Sequence, residues 1–363
     1  MMKKSTFFLS LILLSAPAWG KIKPSAEKIG RVLWDKQLKS GKKSNFFPET
    51  ASPVADGGRV YVGTGAGVLY AVEAGKILWS FNSKGPIAAK AATDGNRVFF
   101  GDVKGMIYAL EAKTGQKQWE EFIGGEILSE PVLSNSSVFV VTTSREIYSL
   151  DKKTGKENWS TYVRGFEKKI TRRGNSPLRL DGGRLYAAFA DGEVVSLSSG
   201  NGNIAWTENL ADPNRVFKDI DAGLVIDGGE MYAVGYFGEV ARLRKDSGSV
   251  VWKKPGTSGV TPAADSSRIY VSGEGGAIIA MDKGTGLREW ETPLGGGLLS
   301  APLIRENFIF VGTEKKGAYL LDRETGKIVQ RISLGGTFIG EPEATDSTVY
   351  LLTSGGKLTA LIF

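Results

Sequence analysis

The sequence contains no cysteine and no histidine among its 363 residues. Without cysteine, disulfide bonds, thiolate metal sites, iron–sulfur clusters and cysteine nucleophiles are excluded. Without histidine, the Ser-His-Asp triad, His-ligated metals and the usual general base near neutral pH are excluded. Any catalysis would therefore depend on carboxylates, lysine, tyrosine or a bound cofactor.

Beyond its first 20 residues the chain also lacks an apolar run long enough to cross a bilayer. At its start, Lys3 and Lys4 precede an apolar core at 7–14, and the small residues Ala18 and Gly20 stand where a signal peptidase cuts. This pattern predicts a secretory signal peptide at 1–20, cleaved before Lys21 or after Ala18. Because no lipobox cysteine follows the apolar core, we expect an exported protein without an acyl anchor or a transmembrane segment of its own.

The sequence has only a modest excess of positive charge. The net charge is +7, from 46 Lys and Arg against 39 Asp and Glu, and Lys3 and Lys4 belong to the predicted leader. The densest basic run, at 168–173, is short. Nucleic-acid binding needs basic residues clustered on one face with interleaved aromatics, so the sequence predicts no nucleic-acid partner.

The sequence is rich in glycine, with 48 residues, and carries a repeat built on glycine and tryptophan. Seven of the eight tryptophans follow a glycine by four residues, and in an eighth copy glutamine replaces tryptophan. The pairs are Gly30/Trp34, Gly75/Trp79, Gly115/Trp119, Gly155/Trp159, Gly202/Trp206, Gly248/Trp252, Gly286/Trp290 and Gly326/Gln330. The copies are spaced by roughly 40–50 residues, the length of one four-stranded propeller blade.

Each repeat unit has the pattern of four short strands. The first strand is expected at or just after Pro53, Pro86, Pro131, Pro177, Gly223, Pro262, Pro302 or Pro342, and the tryptophan lies on the fourth. The last unit ends at Phe363 without residues for a fourth strand, whereas the strand around Trp34 has no unit of its own. We therefore predict an all-β fold. It is an eight-bladed β-propeller at 30–363, after a lead-in at 21–29, and an N-terminal strand completes its C-terminal blade.

Two sets of repeated positions were considered as sites. Seven equivalent tryptophans favour packing between blades over an aromatic platform for one cofactor. The residues just before the first strands are expected to line the channel: Ser52, Gly85, Glu130, Ser176, Ala222, Thr261, Ala301 and Glu341. Glu130 and Glu341 are either solvated channel carboxylates, which we favour, or a cation or acid/base pair. We predict no catalytic, cofactor-binding or metal-ligating residue.

The repeats, as in Ala112-Lys-Thr-Gly-Gln-Lys-Gln-Trp119, resemble the quinoprotein-type (PQQ-like) propeller repeat. The leader, the length and the number of units are similar to those of the BamB family, the propeller component of the outer-membrane β-barrel assembly machine. Two segments are also similar to that family: Ile170-Thr-Arg-Arg-Gly174 before the fourth blade and Phe217-Lys-Asp-Ile-Asp221 before the fifth. Arg172 stands where the family pattern has leucine.

The resemblance implies a periplasmic, non-enzymatic scaffold that assists insertion of β-barrel proteins and binds the periplasmic part of a BamA-type assembly protein. The implied contact residues are Ile170, Arg172, Arg173, Asp219 and Asp221. Guanidinium groups on one segment and paired carboxylates on the other suit charge-assisted contacts, although a salt link between the segments or a solvated rim is the alternative. Unfolded outer-membrane proteins are further expected clients, through exposed blade edges.

Two other functions stay open at this point. One is a quinone-dependent oxidoreductase, because quinoprotein dehydrogenases share this repeat; the lack of cysteine and the short chain argue against it. The other is an envelope module that binds glycan or protein at the channel mouth. No cofactor is expected for the leading interpretation, and attachment to the outer membrane would occur through partners.

Overall fold

The computed structural model describes residues 30–39, 51–165, 176–189, 191–211, 223–235, 239–255, 260–273, 275–295, 297–315, 317–338, 340–345 and 347–362. The predicted leader and lead-in at 1–29 lie outside the described residues, so these two boundaries stay predictions. Thirty-two strands are present and, within those ranges, no helix. No described segment is therefore a helix of the length and hydrophobicity needed to cross a bilayer.

The strands form eight sheets, and each sheet is a four-stranded antiparallel meander. The first strands are β2 (Val54–Asp56), β6 (Ala92–Thr93), β10 (Val132–Leu133), β14 (Arg179–Asp181), β18 (Leu224–Asp227), β22 (Ala263–Ala264), β26 (Leu303–Arg305) and β30 (Glu343–Ala344). The second strands are β3 (Arg59–Gly63), β7 (Arg97–Gly101), β11 (Ser137–Val141), β15 (Arg184–Ala188), β19 (Glu230–Val234), β23 (Arg268–Gly273), β27 (Phe308–Thr313) and β31 (Thr348–Leu352).

The outer half of each sheet carries the third and fourth strands. The third strands are β4 (Val68–Glu73), β8 (Met106–Glu111), β12 (Glu146–Asp151), β16 (Glu193–Ser198), β20 (Glu239–Arg244), β24 (Ala277–Asp282), β28 (Gly317–Asp322) and β32 (Lys357–Ile362). The fourth strands are β5 (Lys76–Asn82), β9 (Lys117–Phe122), β13 (Glu157–Tyr162), β17 (Ile204–Asn209), β21 (Val250–Pro255), β25 (Arg288–Pro293), β29 (Ile328–Ile332) and β1 (Arg31–Gln37).

The sheets are arranged as the blades of a closed ring. The first strand β2 contacts β6 on one side and β30 on the other, and the contacts continue from β6 through β10, β14, β18 and β22 to β26. In the eighth blade the order is β30-β31-β32-β1, with Arg31 opposite Ile362 and Gln37 opposite Lys357. The predicted eight-bladed propeller and its closure by the N-terminal strand are confirmed. This closure covers the edge of β32 that an open ring would expose.

Second and third strands form the core of each blade, because both of their faces are covered by neighbouring blades. Their side chains are almost all buried, as in the run Val98, Phe99 and Phe100 of β7. Fourth strands alternate exposed and half-buried residues. Such alternation is typical of a strand with one face against the core and one in water.

In the seven fourth strands that carry a tryptophan, its indole packs between its own blade and the next, as predicted. Trp119 lies 6.0 Å from Phe99 of its own blade, measured between ring centroids. On its other side it covers Gly155 of the third blade, where an added Cβ would lie 2.7 Å from the indole. The indole Nε1 also donates a hydrogen bond to the carbonyl oxygen of Lys152, at 3.2 Å.

This indole hydrogen bond recurs around the ring. The other donors and acceptors are Trp79 to Ala112, Trp159 to Ser199, Trp206 to Lys245 and Trp252 to Lys283. Ion pairs join three of these turns to the preceding blade: Asp94 to Lys152, Asp181 to Lys245 and Asp227 to Lys283. One short turn thus receives the indole, its hydrogen bond and a carboxylate from the neighbouring blade.

The glutamine copy of the repeat lies at the ring closure. Gln330 donates a hydrogen bond from Nε2 to the Gly30 carbonyl at 2.8 Å and accepts one from the Gly30 amide at 3.1 Å. Its amide group therefore satisfies both backbone groups of Gly30, the residue immediately before β1. The glutamine that replaces tryptophan in this copy therefore helps to hold the N-terminal strand in place.

The glycine that faces each tryptophan offers a test of the inter-blade contact. Gly115 has φ +74°, and an added Cβ would lie 2.6 Å from Trp79. Gly57 has φ +55° with nothing within 4 Å of an added Cβ, so it is the matched control. We expect Gly57→Ala to cost about 1–2 kcal/mol through backbone strain alone. Gly115→Ala should cost more, because the indole must also move. Thermal unfolding midpoints measure both, and equal losses would contradict this account of the contact.

Candidate functional site

Most residues predicted to line the channel lie close to a first strand, with one correction. Ser52, Glu130, Ser176, Thr261, Ala301 and Glu341 each come shortly before a first strand, whereas Ala222 lies outside the described residues. The prediction that Gly85 lines the channel was wrong, because β6 begins only at Ala92. Pro86 belongs instead to the connection that precedes β6: its carbonyl accepts a hydrogen bond from Val103, and the Gly85 amide donates to Asp102. The channel residue of the second blade is Lys90.

Lys90 is the centre of a charged network in this channel. Its ammonium lies 2.9 Å from Glu343 of the eighth blade and 4.0 Å from Glu130 of the third. Glu343 also accepts a hydrogen bond from the Ala55 amide of the first blade, at 3.3 Å. Lys90 of the second blade therefore pairs with acidic side chains of the eighth and the third blades.

Glu341 extends the network to the sixth blade. Its side chain accepts a hydrogen bond from the Thr261 hydroxyl, and its amide donates one to Ser52 Oγ at 2.8 Å. Glu130 and Glu341 are thus brought into one electrostatic neighbourhood although their blades are not adjacent. They do not form an isolated acid/base pair, because each has partners of its own.

Burial and the neighbouring opposite charges shift the pKa values of the network in opposite directions. Burial raises the pKa of Glu130; Lys90 offsets this only partly, and Glu341 adds to the rise. Burial alone would lower the pKa of Lys90, but the carboxylates of Glu130, Glu343 and Glu341 outweigh it and the pKa rises. The lysine therefore stays charged at neutral pH and compensates the carboxylates around it. Among the described residues, no acidic group has the arrangement of a metal site.

The residues predicted to bind a partner all lie outside the described part of the chain. Ile170, Arg172 and Arg173 fall in 166–175, and Asp219 and Asp221 fall in 212–222. The first segment connects β13 to β14 and the second connects β17 to β18. In a ring of meanders, all connections from a fourth strand to the next first strand leave from the same face, which also carries the turns between second and third strands. We call this face the partner rim.

The sequence interpretation overlooked Arg145, which fixes the start of the first of these segments. Its guanidinium lies over the Phe189 ring at 4.0 Å from the centroid and donates from Nε to the Val163 carbonyl at 2.9 Å. It also pairs with Asp191 at 2.8 Å and with Glu193. Burial raises the pKa of Glu193, and Arg145 partly offsets the rise. The fourth blade is therefore clamped to the third close to residue 166.

A signal for Arg145 was present in the sequence. In the sequence, the position that precedes or opens the third strand is glycine in seven units and arginine in one: Gly67, Gly105, Arg145, Gly192, Gly238, Gly276, Gly317 and Gly356. Arg145 has φ +65°, a conformation that costs a non-glycine residue about 1–2 kcal/mol. The ion pairs and the ring contact offset that cost.

Hydrogen bonds also hold the residue that comes shortly before the second segment, at 212–222. Leu210 is buried, and its amide donates to the Gly192 carbonyl at 2.8 Å while its carbonyl accepts from Lys253 Nζ at 3.0 Å. On the far side of the segment, Gly223 approaches Thr261 so closely that an added Cβ would lie 2.5 Å from its hydroxyl. Both predicted partner segments therefore start and end on the rigid ring.

Comparison with known families decides the relationship of the chain. The family described as outer membrane protein assembly factor BamB matches residues 20–122, 73–242 and 237–361. The chain belongs to this family. The resemblance to the BamB family, inferred from the leader, the length, the number of units and two segments, is thereby confirmed.

Relatives support the same assignment at low identity. The outer membrane protein assembly factor BamB of Shewanella oneidensis is 24% identical over 258 residues, covering 69% of this chain and 65% of the relative. That of Pseudomonas aeruginosa is 28% identical over 200 residues, covering 53% of this chain and 52% of the relative. These alignments span about half to two thirds of the relatives' length.

Solved structures show the fold. The structure of BamB from Moraxella catarrhalis matches 92% of this chain and 100% of its own, with a TM-score of 0.82 at 20% identity. The quinohemoprotein alcohol dehydrogenase of Comamonas testosteroni matches 92% of this chain and 76% of its own, with a TM-score of 0.76 at 13% identity. At such identities, shared architecture does not carry a shared activity.

Replacement of Lys90 tests the channel network. Lys90→Met leaves Glu130, Glu341 and Glu343 without their common counter-charge, so we expect a loss of about 1–3 kcal/mol at neutral pH. Since the folded-state pKa of Glu130 is already raised, its ionisation opposes folding as pH rises above about 4.5. The loss should therefore shrink between about pH 7.5 and pH 4.5.

Thermal unfolding of both proteins at the two pH values measures this effect. The double variant Lys90→Met/Glu343→Gln is the control, and it should recover part of the stability because it removes one uncompensated carboxylate. A loss that does not depend on pH, or a double variant less stable than Lys90→Met, would show that Lys90 acts by packing alone.

Proposed function

We propose that this chain is a periplasmic, non-enzymatic scaffold that assists assembly of β-barrel proteins into the outer membrane. It does so by binding a BamA-type assembly protein through the partner rim. Membership of the BamB family is the observation that carries this proposal. The named function of the relatives, outer membrane protein assembly, supplies the process in which the chain acts.

The partner rim is where we place the assembly protein. The ring is built from repeated contacts, whereas the segments at 166–175 and 212–222 do not repeat in sequence. Ile170, Arg172 and Arg173 on one segment and Asp219 and Asp221 on the other offer an apolar group and charges of both signs. Such a mixture suits a protein surface, where charged pairs give orientation and specificity.

The rigid starts of these segments support the same placement. Arg145 fixes Val163 just before the first segment, and Leu210 is held just before the second. Loops held on a rigid scaffold are the usual location of binding residues. A fixed start also reduces the conformational entropy that binding must overcome.

Charge reversal on the rim tests this proposal. We expect Asp219→Lys or Asp221→Lys to abolish capture of the BamA-type protein from envelope extracts, because each replaces an attractive charge with a repulsive one. The matched control is Asp246→Lys, which reverses an exposed aspartate in the turn between β20 and β21 on the opposite face. All three proteins should unfold at similar temperatures.

Normal capture by both rim variants would place the partner elsewhere on the ring. Failure of the unaltered protein to capture any assembly protein would contradict the function itself. Tight binding of the quinone with calcium, accompanied by dye-linked oxidation, would favour the oxidoreductase class.

A further inference from the structure

Every fourth strand contains a β-bulge just before its tryptophan or glutamine. In the eighth blade, for example, Val32 pairs with Leu361 and Trp34 with Ala360, so Leu33 is the extra residue. The extra residues of the eight blades are Leu33, Leu78, Gln118, Asn158, Ala205, Val251, Glu289 and Val329. A bulge at a sheet edge re-aims one side chain and usually protects the edge from pairing.

The extra residue at the bulge is polar in some blades and aliphatic in others. In the second, third and sixth blades the extra residue is Gln118, Asn158 or Glu289, which is polar. In the seventh, eighth and first blades it is aliphatic and follows another aliphatic residue, giving the pairs at 328–329, 32–33 and 77–78. These six side chains are 37–54% exposed.

Each of these aliphatic pairs is preceded by a basic residue. The three triplets, at 327–329, 31–33 and 76–78, read Lys-Ile-Val, Arg-Val-Leu and Lys-Ile-Leu, and all nine residues are exposed. We call them the closure band. In the fourth and fifth blades the aliphatic residues follow Asn203 and Ser249, so the basic residue is missing there.

The closure band is continuous because the inter-blade contacts join its three triplets. Gln330, next to Val329, is hydrogen-bonded to Gly30, which precedes Arg31. Trp34, next to Leu33, covers Gly75, which precedes Lys76; an added Cβ there would lie 3.5 Å from the indole. The triplets therefore follow one another at the same level around the outside of the ring.

Among the described residues, no ion pair engages the positive charges of the closure band, those of Arg31, Lys76 and Lys327. Nearby acids have other partners: Asp35 pairs with Lys357 at 2.9 Å, and Glu324 pairs with Arg268 at 2.8 Å. Two further acids lie near the band. Glu73 faces Lys76 across the strand pair, and hydrogen bonds from Thr325, with a smaller contribution from the charge of Lys327, lower the pKa of Asp322. The band is therefore apolar and basic at once.

We propose that the closure band docks the ring onto an anionic lipid surface. The aliphatic pairs would enter the boundary between headgroups and acyl chains, and the three cations would contact lipid phosphates. A second copy of this chain fits less well, because an isologous contact would place the same cations against one another. This proposal does not depend on the segments at 166–175 and 212–222 of the partner rim, which connect other blades.

Vesicle flotation tests the proposal, with the chain starting at Lys21 so that the predicted leader cannot insert. We expect flotation with vesicles of phosphatidylglycerol and phosphatidylethanolamine, weakening as salt is raised, and little with phosphatidylcholine alone. Leu33→Ser/Leu78→Ser/Val329→Ser should reduce binding at least about tenfold. Arg31→Gln/Lys76→Gln/Lys327→Gln should remove the salt-dependent part.

The matched control is Val251→Ser, a bulge position in the fifth blade without a preceding basic residue, and its binding should stay unchanged. The serine variants should unfold normally and still be captured by the assembly protein, which separates this proposal from the proposed function. Three results would overturn it. They are no flotation of the unaltered protein with anionic vesicles, unchanged flotation of the triple serine variant, and a dimer that this variant abolishes.

Discussion

The contact between a tryptophan and the glycine of the next blade is the interaction on which the rest of the structure depends. It combines a large buried indole, a glycine held at positive φ, and an indole hydrogen bond to the adjacent turn. Because these parts lie on consecutive blades, each copy sets the distance between two sheets. Repetition of one contact therefore closes the ring. The positions of the channel residues, the closure band and the partner rim all depend on this closed ring.

The repeated tryptophan–glycine contact is replaced by a different one at the ring closure. Gln330 replaces the indole with an amide that satisfies both backbone groups of Gly30. On the axis, Lys90 and Glu343 link the second blade to the eighth across the first. On the outside, the closure band lies on the seventh, eighth and first blades. The joint between the chain's two ends thus carries hydrogen bonds, an ion pair and an unusual surface that the other blades lack.

Much of the fold could be predicted from the sequence, because the tryptophans recur at blade spacing and Trp34 had no unit of its own. The channel was harder. Pro86 resembled the other opening prolines, but counting back from the Arg97 strand leads to Lys90. Arg145 was missed because its role depends on a backbone conformation that sequence shows only as a break in a glycine series. Its partners Phe189 and Asp191 come from the next blade, and no local pattern reveals such contacts.

We propose that repeated contacts build the ring, while the non-repeating rim on one face binds the assembly protein. Site-specific photo-crosslinking in envelopes tests this most directly. Probes would replace Tyr162 and Asn209, which end β13 and β17 at the rim, and Lys113 and Asp246, which lie on the opposite face. Crosslinks to the BamA-type protein from the first two positions alone are the predicted result. Crosslinks from Lys113 or Asp246 instead would contradict the account.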